Sequence, residues 1–394
     1  MATPLRSRHT TVSPWIGDAD LDIDTFRAQV GTETRLADYP NADDVRGNVL
    51  VYSAESMARR AAGGDRRALQ AELIRALADG PGVVVFSGAF DTDVIDRASA
   101  AFFDIIEAQR AGGQAAGDHF GKPGANDRIW NAAQKLALHD PAAFADYYAN
   151  DALAVVCQAW LGPRYQVTSQ VNVVNPGGKA QIPHRDYHLG FVADEQLADY
   201  PAHVHRTSPV LTLQGAVAHC DMPVDSGPTM LLPHSQRFAG GYIAFNRPEF
   251  IECFADHHVQ LPLRKGDAVF FNPALYHGAG ANVSTGVRRI ANLMQISSPF
   301  GRAMEALDRT AMVRAVYPVL RQMRAAGRPA HELTNIVVAT AEGYAFPTNL
   351  DSDQPIGSLA PPSQVDTVLD ALARDLTEED LTVALGDQNE RRTP

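Results

Sequence analysis

The chain has 394 residues, 45% of them hydrophobic and 20% charged, the balance of a globular protein with room for one large domain or two ordinary ones. Its formal net charge is −12, from 34 Lys plus Arg against 46 Asp plus Glu, which argues against nucleic acid or an anionic membrane as the main partner. Three widely spaced cysteines, Cys157, Cys220 and Cys253, form neither a disulfide framework nor a zinc-finger pattern and are expected as small buried hydrophobes in a reducing compartment.

Residues 1–45 are polar and patternless and read as an arm on the surface. They lack the apolar run of a secretory leader, and no segment reaches the roughly 18 apolar residues of a membrane span, so a cytoplasmic location is expected. A domain over 46–302 follows. In it RRALQAELIRALADG places Leu69, Leu73, Ile74 and Leu77 at helical spacing and stops at Gly80. GVVVFSGAF (82–90) reads as a short buried strand, and Asp91 is a candidate cap for a helix over 91–110. PAAFADYYANDALAVVCQAWLG (141–162) reads as a third helix, ending at Gly162.

From 164 to 299 the period shortens. QVTSQVNVV alternates, with Val167, Val171 and Val173 on one face and Gln170 and Asn172 on the other. PVLTLQGAVAHC, PTMLLP, HVQLPL, DAVFF and RRIANLMQI follow, separated by turn residues, with no helix expected before about 303. The fold class is therefore read as mainly β with flanking helices, the strands forming an antiparallel sandwich or jelly-roll (cupin-like) barrel. Helical pattern over 303–326 and in VDTVLDALARDL and EEDLTVAL, around a Pro-, Ser- and Asp-rich stretch at 347–363, makes 303–386 a C-terminal helical extension or lid. These helices are expected either to cap the barrel or to form a homodimer contact. Residues 387–394 read as a disordered tail. Segments 112–136 and 300–365 have the irregular composition of lids that shape a pocket.

Chemistry concentrates in His184-Arg185-Asp186, His277 and Arg288. Pro183 argues against a helix, and on a strand His184 and Asp186 share a face while Arg185 points away. Two imidazoles and a carboxylate, the second histidine distant in sequence, are the ligand set of a non-haem Fe(II) centre that keeps open positions for other ligands. An arginine shortly after the last histidine offers a permanent bidentate grip on an acidic co-substrate. Arg288 and Arg289 alternate in facing, so only one of them enters a pocket, and spacing favours Arg288. Gln170 and Asn172, on the strand before the histidine–aspartate pair, are candidates to face the co-substrate. Tyr187, His188, Gln181 and Lys179 are candidates for contact with a small-molecule substrate. Trp130 is a further aromatic candidate, with core packing the favoured role. The other histidines, among the 13, read as surface or hydrogen-bonded residues.

HRDYH, DMPVDSGPTMLLPHSQR (221–237) and YHGAGANVSTGVRR (276–289) together resemble the phytanoyl-CoA dioxygenase family of Fe(II)/2-oxoglutarate oxygenases. That family shows HxD, then an LPGSH-type turn, then an HG-containing segment ending in arginine. The resemblance spans roughly residues 80–300. It implies a double-stranded β-helix with helices along one side. It also implies Fe(II) on His184, Asp186 and His277, 2-oxoglutarate on Arg288, and O2 as the oxidant. Oxidation of an aliphatic C–H bond, most simply hydroxylation, would accompany release of succinate and CO2. A carboxylate at Asp186 favours hydroxylation, or its desaturating and ring-forming variants, over halogenation, because in related halogenases a small residue there leaves room for chloride. Two positions depart from the pattern: Ala279 stands where a hydroxyl is frequent, and His234 where the LPGSH-type turn has glycine. Substrate identity is left open among acyl-CoAs, amino acids and other metabolites. A cupin-like metalloenzyme without 2-oxoglutarate, a catalytically idle binding protein and a zinc hydrolase are the rival classes.

Overall fold

The computed structural model describes residues 13–113 and 126–394. The expectations for residues 1–12 of the arm, and for 114–125 within the first lid, lie outside the described residues. Ten strands are present among the described residues: β1 (Asp44–Arg46), β2 (Val49–Ser53), β3 (Val83–Ser87), β4 (Asn126–Ile129), β5 (Gln166–Val174), β6 (Thr212–Ala218), β7 (Met230–Leu231), β8 (Ala268–Phe271), β9 (His277–Gly278) and β10 (Arg289–Ser297). Eight of them form one mixed sheet in the order β1-β2-β3-β8-β6-β10-β5-β4, antiparallel except where β2 runs parallel to β3.

Alternation gives this sheet two unlike faces. Val167, Val171 and Val173 of β5, Leu213 and Val217 of β6, and Ile290, Met294 and Ile296 of β10 enter one large core shared with helices. The opposite face carries Ala216 and Ala218 of β6, Val269 and Phe271 of β8, and Ala291 of β10 in a second, smaller apolar cluster. Over this inner face lies a second row of short pairings. β7 pairs with β9, and single bridges join His184 to His277, Leu231 to Val259 and Met222 to Leu263. The site is built between the two rows.

Helices outweigh strands, at 47% of the chain, which corrects the expectation of a mainly β protein. The strand series is real, but helices both precede and follow it and also interrupt it. Asp194–Leu197, Ala202–Thr207, Gly241–Ala244 and Pro248–His257 fall where no helix was expected. They are short excursions between strands whose apolar residues pack locally, such as Phe250, Cys253 and Phe254 against Phe26. The arm is not patternless: Ile23–Val30 is a helix capped by Asp22, and it buries Phe26 completely. The 141–162 helix divides into Pro141–Tyr148 and Asp151–Leu161, with Asn150 capping the second through Leu153 N–H (2.8 Å).

Arg66–Ala78 and Thr92–Ala111 form as expected, the latter with Asp91 as its cap. HVQLPL forms only isolated bridges and no strand. In the 300–365 segment, Arg309–Ala325 and Ala330–Thr340 are regular helices whose Met312, Val316, Ile336 and Val337 are fully buried. The last helix, Glu378–Arg392, continues through most of the expected disordered tail, closed at its start by the Thr377–Asp380 capping box. Among the described residues no helix is long and apolar enough to cross a membrane.

Candidate metal centre

His184, in an extended segment outside the named strands, and His277 of β9 face each other across a single bridge, with ring centroids 4.5 Å apart. Asp186 stands beside both: one carboxylate oxygen is 3.8 Å from His184 Nε2 and the other 3.4 Å from His277 Nε2. One ligand atom from each residue lies within 4.8 Å of the other two, a spacing that fits a single metal ion. The ring orientations fit as well. Nδ1 of His184 lies 3.1 Å from the Ile182 carbonyl and Nδ1 of His277 2.9 Å from that of Leu275. Donation of Nδ1–H to those carbonyls leaves each Nε2 as a lone pair aimed at the shared space, the arrangement that orients metal-binding histidines.

Electrostatics favour a neutral His184 and an ionised Asp186. Burial, followed by the nearby His277, lowers the pKa of His184 and keeps that ring neutral. For Asp186 burial alone would raise the pKa. Its contact with His277, the electrostatic influence of both imidazoles and a bond from Gln214 outweigh that, and the carboxyl is held well below the usual range. Two neutral imidazoles and an ionised carboxylate are what a divalent ion requires.

Several neighbours hold Asp186 in place. Gln214 of β6 donates Nε2–H to Asp186 Oδ2 at 2.5 Å, and Tyr242 donates its hydroxyl hydrogen to the Asp186 carbonyl at 3.2 Å. Arg185 does point away from the site, yet it is only 2% exposed. Its guanidinium sits 5.1 Å from both the Tyr242 and Tyr276 ring centres and donates to the Ser235 and Phe238 carbonyls. Gly241 permits this, since a Cβ there would lie 1.9 Å from Arg185 Cζ. Immediately after Asp186 the chain turns sharply through Tyr187 (φ 63°) and His188 (φ 43°), both left-handed, and Ser208 ties the turn by donating to the Tyr187 carbonyl.

The two arginines take opposite sides. Arg288 is on the helix side of the sheet, half-exposed, with its guanidinium over Phe103 and 3.9 Å from Asp127. Arg289 is on the inner face and 7% exposed, donating weakly to the carbonyls of Ser226 (3.4 Å) and of Gly280 (3.3 Å), three residues beyond His277. Burial lowers its pKa to about 10, which leaves it charged at neutral pH. The inward position favoured for Arg288 is therefore occupied by Arg289.

Gln170 and Asn172 face inward on β5, as alternation requires. Gln170 accepts from Arg128 (3.3 Å), and Asn172 has a buried oxygen with no partner. Tyr187 is buried beside the metal-ligand group, whereas His188 is half-buried and lines an apolar cavity of about 420 Å³ within the 188–211 insertion. Gln181 is engaged in pairing its backbone and side chain with Ala279, and Lys179 is exposed. Trp130 is half-buried with the Arg128 guanidinium 4.5 Å from its ring centre. His234, in the LPGSH-like turn, takes φ 69°, a conformation that explains why glycine is usual there, and its ring meets Thr34 Oγ1 at 3.0 Å. Gln214, Gln295 and Glu305 were missed. The first two carried a usable signal, a polar side chain in step with the inward positions of an apolar strand. Glu305 had none, because it reaches the rim from a loop and accepts Asn131 N–H at 2.7 Å, burial raising its pKa.

A mixed sheet with two histidines and an aspartate gathered on its inner face defines a non-haem metalloenzyme. The chain belongs to the phytanoyl-CoA dioxygenase (PhyH) family, whose model matches residues 78–290, just over half of its length. It is thus an enzyme of the iron- and 2-oxoglutarate-dependent type. No protein of curated function matches it by sequence. Similar solved structures include the epimerase SnoN of nogalamycin biosynthesis, 19% identical over 60% of this chain and 84% of that one, with a TM-score of 0.39. AviO1 from Streptomyces viridochromogenes Tue57 is 20% identical over 59% of this chain and 97% of its own, with a TM-score of 0.43. The carbocyclase SnoK is 19% identical over 59% and 85%, with a TM-score of 0.41.

Proposed function

We propose that this enzyme oxidises an aliphatic C–H bond of a small-molecule metabolite, hydroxylation being the outcome that a carboxylate at Asp186 favours. Fe(II) would be held by His184 Nε2, one oxygen of Asp186 and His277 Nε2. The observation that carries this reading is the convergence of those three atoms with both Nδ1 atoms already tied to backbone carbonyls. When bound, iron with 2-oxoglutarate supplies O2 activation, with succinate and CO2 as co-products.

The chain's own residues do the positioning. Gln214 engages one Asp186 oxygen and leaves the other for the ion. In this reading Arg289, not Arg288, grips the distal carboxylate of 2-oxoglutarate. Its long bonds to Ser226 and Gly280 both come from Nη1, fixing its direction and leaving Nη2 and Nε for the carboxylate. Because Ala279 has no hydroxyl, a second contact to that carboxylate comes from elsewhere on the inner face. Tyr187, His188, Gln170 and Asn172 stay candidates for the pocket wall. The two rows of pairing, β5, β10, β6 and β8 opposite the segments at 184, 277, 231 and 259, support a double-stranded β-helix as the core.

The test is succinate formation from 2-oxoglutarate with Fe(II) present or withheld, alongside direct Fe(II) binding. His184→Ala and Asp186→Ala are expected to abolish both, and full activity in either variant removes the ligand assignment. Turnover that is metal-dependent but indifferent to 2-oxoglutarate would favour the cupin-like reading.

A further inference from the structure

The two ends of the inner face differ in chemistry. On β10, Arg289 stands at one end and Gln295 and Ser297 at the other, separated by about 20 Å of strand. At the second end, around Asp186, Gln295 lies opposite Gln214 in register and Ser297 opposite Thr212. Thr212, Gln214, Gln295 and Tyr187 are all at least nine-tenths buried. Oε1 of Gln214, Oε1 of Gln295 and Oγ1 of Thr212 are nonetheless without a hydrogen-bond partner, while the Tyr187 hydroxyl beside them reaches Ser297 and the Met304 backbone. Because Gln214 spends its nitrogen on Asp186, its oxygen is fixed as an acceptor. At the rim, Glu305 adds a buried carboxylate that accepts Asn131 N–H.

A buried polar group left dry costs about 1–3 kcal/mol, so a cluster of them beside a reaction centre marks a place that is filled in the working state. 2-Oxoglutarate suits it poorly, since a dianion brings only acceptors and the fixed Gln214 oxygen needs a donor. A carboxylate or phosphate group would also lie against the oxygens of Asp186 and Glu305. Arg128, inward on β4, stacks on Trp130 and donates to Gln170.

We propose that Thr212, Gln214, Gln295 and Tyr187 form the substrate-recognition patch, and that the substrate is an uncharged compact molecule bearing at least two hydroxyl groups, such as a cyclitol or a glycosyl ring. A hydroxyl both donates and accepts, which suits the fixed Gln214 oxygen beside the Gln295 amide and the rotatable Thr212 hydroxyl. The inference rests on the oxygenase reading above, and an acyl-CoA or an amino acid does not fit it.

The experiment uses the full chain loaded anaerobically with Fe(II) and 2-oxoglutarate, titrated calorimetrically with myo-inositol, methyl β-D-glucopyranoside, octanoyl-CoA and L-leucine. A neutral polyol is expected to bind, and Gln295→Leu and the near-isosteric Thr212→Val are each expected to weaken it tenfold or more. Preference for octanoyl-CoA or L-leucine, no binding by either polyol, or equal polyol affinity in wild type and both variants overturns the proposal. Fe(II) and 2-oxoglutarate are titrated separately on the same samples. Failure of those two to bind would sink the oxygenase reading, whereas failure of the polyols alone sinks only this one.

Discussion

Arg288 and Arg289 are adjacent, yet one looks at Phe103 among the helices and the other at the carbonyl of Gly280 inside the site. A charge-assisted contact to a carboxylate contributes about 1.5–3 kcal/mol, or roughly 10- to 100-fold in affinity. Arg289→Ala is therefore expected to raise the 2-oxoglutarate dissociation constant at least tenfold, and Arg288→Ala to leave it within about twofold, measured by titration of the Fe(II)-loaded protein. The opposite ranking would return the role to Arg288. His184 and Asp186 were legible because a spacing of two in extended backbone fixes a shared face, even though the segment forms a single bridge and no strand. The arginine pair was not, because its facing depends on where β10 begins after the Val283–Gly286 turn, and nothing in VSTGVRR states that. The unpaired oxygen of Gln214 was likewise beyond reach, since it follows from which neighbour the amide nitrogen meets.

Elements were legible in their interiors and poorly so at their breaks. Thr92–Ala111 shows its period over twenty residues, with an aspartate cap in front. The 141–162 segment keeps an apolar period straight through Ala149–Asn150, so one helix was expected where two form. Asn150 enforces the break by accepting Leu153 N–H (2.8 Å) and donating its side-chain amide to the Ala89 carbonyl (2.6 Å). Asn150→Ala removes a cap and leaves that carbonyl without its donor, a loss of about 1–2 kcal/mol. The expected readout is a lower urea midpoint with Fe(II) affinity unchanged, and an unshifted midpoint would show that the break is set by packing alone. HVQLPL failed as a strand for a related reason. Its alternation is sound, but only Val259 and Leu263 find partners, and a strand exists only where another pairs along it.

At the scale of the whole molecule, stability passes through the core between the sheet and its helices. His219 is buried there, Nδ1 2.8 Å from Ser99 and Nε2 3.0 Å from Tyr147, which Asn292 also meets. Burial, opposed only by the charge of Asp96, lowers its pKa to about 3 against an ordinary 6.5. The unfolded chain thus binds one more proton between those values, and stability present above pH 6.5 is lost as pH falls towards 3, by up to about 1.4 kcal/mol per unit. His219→Gln should flatten this part of the urea-midpoint profile between pH 7 and pH 4, and an unchanged slope would show that other groups set it.

The same core decides what the C-terminal helices are. Met312, Val316, Tyr317, Ile336 and Val337 are fully buried in one cluster with Val167 and Val171 of β5, and Arg309 donates to the Val167 carbonyl at 3.2 Å. A removable lid would leave an intact core behind. Here each large apolar side chain uncovered costs about 1.5–3 kcal/mol, and ten such losses, counting the sheet residues newly exposed, exceed the 5–15 kcal/mol that holds a domain folded. A chain ending after Leu307 is therefore expected to lose its near-ultraviolet circular dichroism and its Fe(II) binding together, although every proposed metal ligand remains. A soluble shortened chain that still binds Fe(II) at wild-type affinity would show that 46–302 folds by itself and that the helices are a lid after all.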